Sequence, residues 1–209
     1  MKNGNAAQVY FIAGKKIDLS RSTVVYETGF ADLEGWQVVG NARWRVEDNG
    51  LVGSLADGGV HGQIFLAQEC DGDIIMQFDT ATILPSTHDI IWWWHTEIEG
   101  GTCGKGYLGA LAGWYSGKAG IEKTPDGRLY GGTPLFTFEP GRKYHVVSGS
   151  IGGLSFIAVD GKLIFELADT DPFLAGHRGH VGFGVYQSAV RYENLKVYAP
   201  HWEKHSESY

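Results

Sequence analysis

Hydrophobic and polar residues alternate over short stretches of this chain, as they do in β-strands with one buried face. The clearest case is the stretch 73–80, where Ile74, Met76 and Phe78 share one face and mostly polar residues occupy the other. About ten or more such stretches follow one another between residues 23 and 199, and none has the period of a helix of convincing length. The pattern therefore predicts an all-β chain.

Turn signals separate the predicted strands. Asn49-Gly50 and Asp160-Gly161 are typical of two-residue hairpins, and Ile151–Gly153 joins another pair of strands. The chain has 31 Gly and 6 Pro, a balance that suits many turns with positive φ. Together the strands and turns predict a two-sheet antiparallel jelly-roll β-sandwich, with one sheet concave and open to a ligand.

The domain organisation follows from length and pattern. A chain of 209 residues suits one all-β domain, and no repeat, linker or break in composition divides it. The sequence predicts a single jelly-roll domain at 21–200, an N-terminal extension without clear period at 1–20, and a C-terminal tail at 201–209.

Composition and charge argue against several classes of function. The net charge is −7, with 17 Lys and Arg against 24 Asp and Glu and no basic run, so no nucleic-acid partner is expected. No apolar run approaches the ~20 residues of a membrane span, and no apolar leader begins the chain, so we expect no membrane association and a cytoplasmic protein. Cys70 and Cys103 lie far apart and favour free buried thiols, with a disulfide left open.

The candidate chemistry lies in the stretch Trp92–Glu99. In a regular strand, alternate residues face opposite sides, so one half of this stretch would face the core and the other half a groove. The residues expected to share the groove face are Trp93, His95, Glu97 and Glu99. An aromatic plate beside an imidazole and carboxylates suits a sugar ring, which has an apolar face and a rim of hydroxyl groups.

Glu97 is the candidate acid/base, with Glu99 or Asp79 as its carboxylate partner. Asp79 lies on the polar face of the preceding strand and, if the two strands pair, would come near Asp89, Trp93 or Glu97, depending on the register. His95 is a candidate base, hydroxyl partner or metal ligand, although an isolated histidine is more often structural. The catalytic candidates also have a plain interpretation as a charged strand end and a polar strand face.

Further residues are candidates for substrate binding. They are Gln77, Trp93, Trp114, Tyr115, Lys123 and Arg128. For Trp93 and Tyr115, sugar stacking and core packing are equally good interpretations, while Lys123 and Arg128 are ordinary surface residues by default. The histidines lack zinc-ligand spacing, and the glycine-rich stretches lack the following helix of a phosphate-binding loop, so neither kind of site is expected.

Several stretches resemble the concanavalin A-like lectin and glucanase superfamily in its laminin-G-like form. The resemblance is carried by Ser155–Lys162, Gly179–Gly184 and Val190–Val197, with Gly29–Trp36 and Trp44–Leu51 in the same pattern. It spans about residues 23–199 and implies the jelly-roll fold. The chain is also similar to small bacterial proteins that accompany plant-polysaccharide utilisation, including the keto-disaccharide hydrolase-like group.

The resemblance has consequences for the site. Glucanases of this superfamily carry Glu-x-Asp-x-Glu on one strand, whereas here His95 stands in place of the first glutamate and Glu97 in place of the aspartate. Related sandwiches hold a structural calcium near the first and last strands, which implies Glu27 and Asn194 as candidate ligands. No cofactor is expected to be required.

The leading hypothesis is a glycoside hydrolase-like protein that acts on an oligo- or polysaccharide in a concave-face groove. The alternative is a non-catalytic, lectin-like carbohydrate-binding module that uses the same groove. A lyase, with Tyr115, Lys123 or His95 abstracting a proton next to a uronate, is left open. So is an assembly protein that buries its aromatic face in a homodimer.

Overall fold

The computed structural model describes residues 8–113, 117–125, 127, 129–173 and 176–205. Within these ranges the chain forms strands and one short 3-10 helix, Leu19–Arg21. In chain order the strands are β1 (Val9–Ile12), β2 (Lys15–Asp18), β3 (Thr23–Thr28), β4 (Trp36–Gly40), β5 (Ala42–Glu47), β6 (Gly50–Leu55), β7 (His61–Leu66), β8 (Cys70–Asp71), β9 (Ile74–Thr82), β10 (Ile90–Thr96), β11 (Ile98–Glu99), β12 (Thr102–Cys103), β13 (Gly106–Gly113), β14 (Lys118–Thr124), β15 (Tyr130–Thr133), β16 (Tyr144–Ile151), β17 (Leu154–Val159), β18 (Lys162–Ala168), β19 (Arg178–Tyr186), β20 (Ala189–Ala199) and β21 (Trp202–Lys204).

Two eight-stranded antiparallel sheets pack face to face. The front sheet has the order β15-β14-β13-β10-β19-β7-β4, with β8 also paired to β19. The back sheet has the order β18-β17-β16-β9-β20-β6-β5, with β3 also paired to β20. The all-β prediction and the two-sheet jelly-roll sandwich are confirmed. No helix in the described ranges has the length and apolar character needed to cross a membrane.

Aromatic side chains fill the space between the sheets. Trp92 and Trp94 of β10 are fully buried, and the Trp92 ring meets Phe78 of the back sheet edge-to-face at 5.6 Å. Gly109 on the neighbouring strand makes room for this tryptophan, because a Cβ there would come within 2.5 Å of the ring. Replacing such a buried ring by alanine typically lowers the free energy of unfolding by about 3–5 kcal/mol. The two tryptophans therefore anchor β10 in the core.

The hairpin turns agree with the sequence pattern, with one shift. Asp160 and Gly161 both have positive φ between the paired residues Val159 and Lys162, as predicted. In the β5–β6 hairpin, Glu47 pairs with Gly50, so the turn residues are Asp48 and Asn49 instead of Asn49 and Gly50. Aspartate and asparagine tolerate the left-handed conformation, and the turn therefore forms one residue earlier.

A third layer covers part of the back sheet. Strands β1, β2 and β21 form a separate three-stranded sheet, whose side chains Tyr10, Ile12 and Ile17 are buried against back-sheet residues such as Phe156. The sequence pattern did not predict these strands, since each has only three or four residues. This layer shields an apolar area on the outer face of the back sheet.

Candidate functional site

A β-bulge interrupts β10 close to its C-terminal end. Trp93 pairs with Gly182 and Thr96 with His180, so β10 carries one extra residue relative to β19. His95 absorbs it with φ +54°, a conformation that costs a non-glycine residue about 1–3 kcal/mol. The predicted common face is therefore wrong for His95, whose side chain does not share the face of Trp93.

His95 lies inside the protein. It is 2% exposed and its ring contacts Tyr107, Phe173 and His177, with centroids 5.8–6.2 Å away. Its Nδ1 has no hydrogen-bond partner among the residues that the structure describes. Burial, followed by the neighbouring His177, lowers the pKa of His95 to about 4, so this imidazole is neutral at physiological pH.

The bulge is followed by Glu97, whose side chain lines a cleft of ≈ 540 Å³. The backbone of Glu97 is held on both sides, since its N–H donates to the Lys105 carbonyl at 2.7 Å and its carbonyl accepts from Gly104 at 2.8 Å. We call this space the end cleft; its chemically functional lining is Glu97, Lys105, Lys123, Asp169, Phe173 and His177. It forms where the chain passes from back-sheet strand β18 to front-sheet strand β19.

Lys123 and Asp169 form a mostly buried ion pair on one wall of the end cleft. The Nζ of Lys123 lies 2.9 Å from Oδ2 of Asp169, whose side chain is 5% exposed, and it also donates to the Asp171 carbonyl. The Tyr107 hydroxyl donates to the same carboxylate at 2.6 Å. Burial raises the pKa of Asp169, but these hydrogen bonds, a backbone bond from Asp171 and the charge of Lys123 together lower it more, so the net pKa is lowered and Asp169 is ionised.

His177 and Phe173 form the aromatic wall. Their rings stack at 4.3 Å between centroids, and Lys123 lies 4.7 Å over Phe173. The Nε2 of His177 lies 3.1 Å from the His95 carbonyl oxygen, while its Nδ1 lies 3.7 Å from Oε1 of Glu97. Sequence reasoning missed this role of His177, because its partner His95 is 82 residues away and no spacing marks the pair.

A second surface lies on the outer face of the front sheet. Two adjoining depressions of ≈ 250 and ≈ 340 Å³ share Trp93, His61 and Gln63, and we call them the outer groove. Trp93 is only 6% exposed, because Phe65 meets it edge-to-face at 6.1 Å and the β11–β12 hairpin packs on the same cluster. Thr124 and Pro125 line both the end cleft and the outer groove, so the two are contiguous.

Asp79 and Gln77 lie elsewhere, on the outer face of the back sheet. Strand β9 belongs to the back sheet and β10 to the front sheet, so the pairing that would have brought Asp79 to Glu97 does not form. Asp79 instead accepts from Asn194 at 2.8 Å and contacts Nδ1 of His145 at 2.7 Å. We call this group, together with Gln77 and Tyr198, the back-sheet network.

The other predicted residues do not join the end cleft in the described parts of the chain. Glu99 is exposed on the β11–β12 hairpin and does not line the cleft. Trp114, Tyr115 and Arg128 lie outside the described residues. Of the sequence-predicted residues, the end cleft thus brings together Glu97 and Lys123, and His95 supports it from behind.

The candidate calcium ligands are engaged with other residues. Glu27 forms an ion pair with Lys196 at 2.9 Å, and Asn194 donates to Asp79. Across residues 8–113, 117–125, 127, 129–173 and 176–205, no group of three or more His, Cys, Asp or Glu side chains is arranged to hold a metal ion. Both cysteines are free, and burial raises the pKa of each thiol to about 11. Structural calcium therefore stays a prediction.

Solved structures share this fold. The carbohydrate-binding module CBM66 from Bacillus subtilis aligns with a TM-score of 0.63 at 16% identity, over 80% of this chain and 98% of that one. A Bacillus subtilis protein of unknown function with a galectin-like fold aligns with a TM-score of 0.68 at 14% identity, over 86% and 98%. Domain 4 of AbnA, a GH43 arabinanase from Geobacillus stearothermophilus in complex with arabinotriose, aligns with a TM-score of 0.58 at 13% identity, over 85% and 91%.

Sequence comparison adds nothing to these structural matches, since no protein-family model and no curated protein sequence matches the chain. At these identities the solved structures establish the fold alone. Together with the two packed sheets, they show that the chain has a concanavalin A-like jelly-roll fold.

Proposed function

We propose that this protein is a carbohydrate-binding jelly-roll domain and that the end cleft is its ligand site. The observation that carries the proposal is the composition of this cleft: a stacked aromatic wall, His177 on Phe173, stands beside the carboxylate of Glu97 and the ammonium group of Lys123. A sugar unit can pack an apolar ring face against the aromatic wall and form hydrogen bonds from its hydroxyl groups to the charged side chains. Concave sites with a few convergent polar groups are the usual form of small-ligand sites.

Two further observations support the proposal. The third layer covers part of the back sheet, whereas the outer groove and the end cleft are both accessible on the front side. Two of the structural neighbours are described as a carbohydrate-binding module and as an arabinanase domain in complex with arabinotriose. We expect a longer sugar chain to pass over Thr124 and Pro125 and to continue across the outer groove toward Trp93.

A second candidate function, glycoside hydrolysis, has one observation in its favour. Glu97 and Asp169 both line the end cleft, and a pair of carboxylates is the usual minimum for this chemistry. Asp169 is ionised and held by Lys123, and Glu97 would be the second carboxylate of the pair. Glu99 and Asp79, the partners predicted from sequence, do not line this cleft.

Calorimetric titration with arabinotriose, xylotriose and cellotriose tests the binding proposal. The substitution Glu97→Gln should weaken binding of the best trisaccharide about tenfold, because it removes a charged hydrogen-bond acceptor. Glu99→Gln is the matched control, since it makes the same change two residues away on the exposed hairpin, and it should leave binding unchanged. If no trisaccharide binds the wild-type protein, or if both variants lose binding equally, the proposed site is wrong.

Product analysis separates the two functions. The protein is incubated with arabinan, xylan and a soluble β-glucan, and new reducing ends are measured by chromatography. Products that disappear in both Glu97→Gln and Asp169→Asn would establish the hydrolase. Sugar binding without any product would establish the binding domain.

A further inference from the structure

The bulge in β10 aims a backbone carbonyl at His177. Because His95 is in the left-handed conformation, its carbonyl leaves the β10 ladder and lies 3.1 Å from Nε2 of His177. Gly179 packs against the bulge, and a Cβ there would come within 2.5 Å of the His95 carbonyl carbon. The stacked ring of Phe173 holds the other side of the imidazole.

This contact determines the tautomer of neutral His177. A carbonyl oxygen only accepts hydrogen bonds, so Nε2 must carry the ring hydrogen and donate it. The other ring nitrogen, Nδ1, then presents a lone pair to Oε1 of Glu97 at 3.7 Å. An ionised carboxylate also only accepts, and the distance exceeds that of a hydrogen bond, so two acceptors face each other without a donor.

We propose that His177 and Glu97 form an acceptor pair that selects a neutral sugar through two adjacent ring hydroxyl groups, one donating to Nδ1 and the other to the carboxylate. This inference rests on the proposed function of the end cleft. Two acceptors cannot form hydrogen bonds with a carbonyl, an ether or an ionised carboxylate, because those groups have no donor hydrogen. The pair therefore favours ligands with two neighbouring hydroxyl groups over ligands that present acceptors at this position. His177 is thus a specificity-determining residue that His95 positions.

The surrounding charges are compatible with this role. His177 is faced by His95 of β10 and by Glu97, which follows β10, and Asp71 of β8 accepts from the neighbouring Gly176 N–H. Across the cleft lie Lys105, Lys123, Asp169 and Asp171. Lys123 is engaged with Asp169 and the Asp171 carbonyl, which leaves the Glu97 carboxylate to the ligand.

Protonation of His177 would remove one of the two acceptors. The imidazolium carries a hydrogen on Nδ1 as well, so it would donate to Glu97 and form an ion pair in place of the sugar contacts. Sugar binding should therefore weaken when His177 becomes protonated. Burial lowers the pKa of His95 to about 4, so this neighbouring ring stays neutral at physiological pH.

Two variants test the role of His177. His177→Asn places an amide near the position of Nδ1, where its oxygen can accept a hydroxyl hydrogen bond at every pH. His177→Phe keeps an aromatic ring against Phe173 but has no acceptor. We expect His177→Phe to lose roughly tenfold in affinity for the best of the three trisaccharides. His177→Asn should retain most of the affinity and lose the pH dependence, which a merely structural role would not produce.

Nitrogen NMR of the free protein tests the geometry without any ligand. The expected result is the Nε2–H tautomer of His177 at high pH, and a loss of trisaccharide binding in the wild type that tracks the His177 titration. An Nδ1–H tautomer, or equal and pH-dependent binding by all three proteins, would overturn the inference while leaving the proposed function intact. A free protein with the expected tautomer that binds none of the trisaccharides would instead contradict both the acceptor-pair role and the proposed function.

Discussion

Two of the histidine–carboxylate pairs among the described residues differ in how completely their polar atoms are paired. In the back-sheet network, His145 lies 2.7 Å from Asp79 and its second ring nitrogen lies 3.0 Å from the Gln77 amide. In the end cleft, His177 lies 3.7 Å from Glu97. The residue types are the same, but in the first pair each polar atom has a protein partner, and in the second two acceptors face each other. The difference teaches that an incomplete set of partners, and not residue type, distinguishes the proposed ligand site from the back-sheet network.

The direction of the hydrogen bonds makes the back-sheet network self-contained. Tyr198 donates to Oε1 of Gln77 at 2.8 Å, so the Gln77 amide nitrogen faces and donates to Nε2 of His145. His145 then carries its hydrogen on Nδ1 and donates to Asp79. Burial would raise the pKa of Asp79, but the bonds from His145 and Asn194 outweigh it and the net pKa is lowered. This network is complete without a ligand.

The largest effect in this comparison is expected from Lys123→Met. The substitution removes the cation and leaves the Asp169 carboxylate, 5% exposed, with Tyr107 as its remaining side-chain donor. Removing one partner of a buried ion pair is strongly destabilising, and we expect a loss of about 3 kcal/mol in the free energy of unfolding, measured with urea.

Lys105→Met is the matched control for this substitution. Lys105 lines the same cleft, and in the described part of the chain it forms no ion pair. We expect a change of less than about 0.5 kcal/mol for this surface substitution. Equal losses in both variants would show that the Lys123–Asp169 pair is not what holds the cleft wall.

The next largest effect is expected from His145→Ala, in the other region. It removes the His145 partner of Asp79 Oδ1 and of the Gln77 amide nitrogen, and it should lower the free energy of unfolding by about 1–3 kcal/mol. Because the back-sheet network lies on the opposite sheet from the end cleft, trisaccharide affinity should not change. Weaker sugar binding by His145→Ala would break the distinction between a structural and a functional pair.

The contrast between the two pairs explains what the sequence could and could not predict. Alternation and turn residues are local signals, and they predicted the all-β sandwich and turns such as Asp160-Gly161. Glu97 and Lys123 were predicted as candidates from their residue types and positions, and the structure places both in the lining of the end cleft. The position of His95 was not predictable, because nothing in the stretch Trp92–Glu99 shows that the strand bulges there.

The missing information is long-range. Whether β9 pairs with β10 or faces it across the core decides if Asp79 meets Glu97, and alternation alone does not distinguish these cases. The importance of His177 depends on a carbonyl 82 residues away. The strands of the third layer are similarly stabilised by pairing between the two ends of the chain, such as Ile17 with Trp202.

Lowering the pH should reduce the free energy of unfolding through one carboxylate in the back-sheet network and one in the end cleft. The pKa values of Asp79 and Asp169 are lowered from 3.8, so each carboxylate contributes stability that is fully present above its unfolded pKa and is lost as the pH falls through its folded pKa. The stability difference between the wild type and Asp79→Asn should therefore shrink as the pH falls below about pH 4. Urea unfolding at a series of pH values measures it. A difference that grows toward low pH would contradict the lowered pKa.

The smallest change in sugar binding among the variants of the binding surfaces is expected from Trp93→Phe in the outer groove. Phenylalanine keeps most of the apolar contact with Phe65 and Val39, so we expect a loss of only about 1–2 kcal/mol in the free energy of unfolding. A trisaccharide that occupies the end cleft does not need Trp93, and its affinity should stay within about twofold of the wild type. A hexasaccharide of the same sugar should lose more, because only the longer chain passes Thr124 and Pro125 to reach the groove. Equal losses of affinity for the trisaccharide and the hexasaccharide would show that the first sugar units bind in the outer groove and not in the end cleft. In that case His177 and Glu97 would not be the acceptors for this sugar.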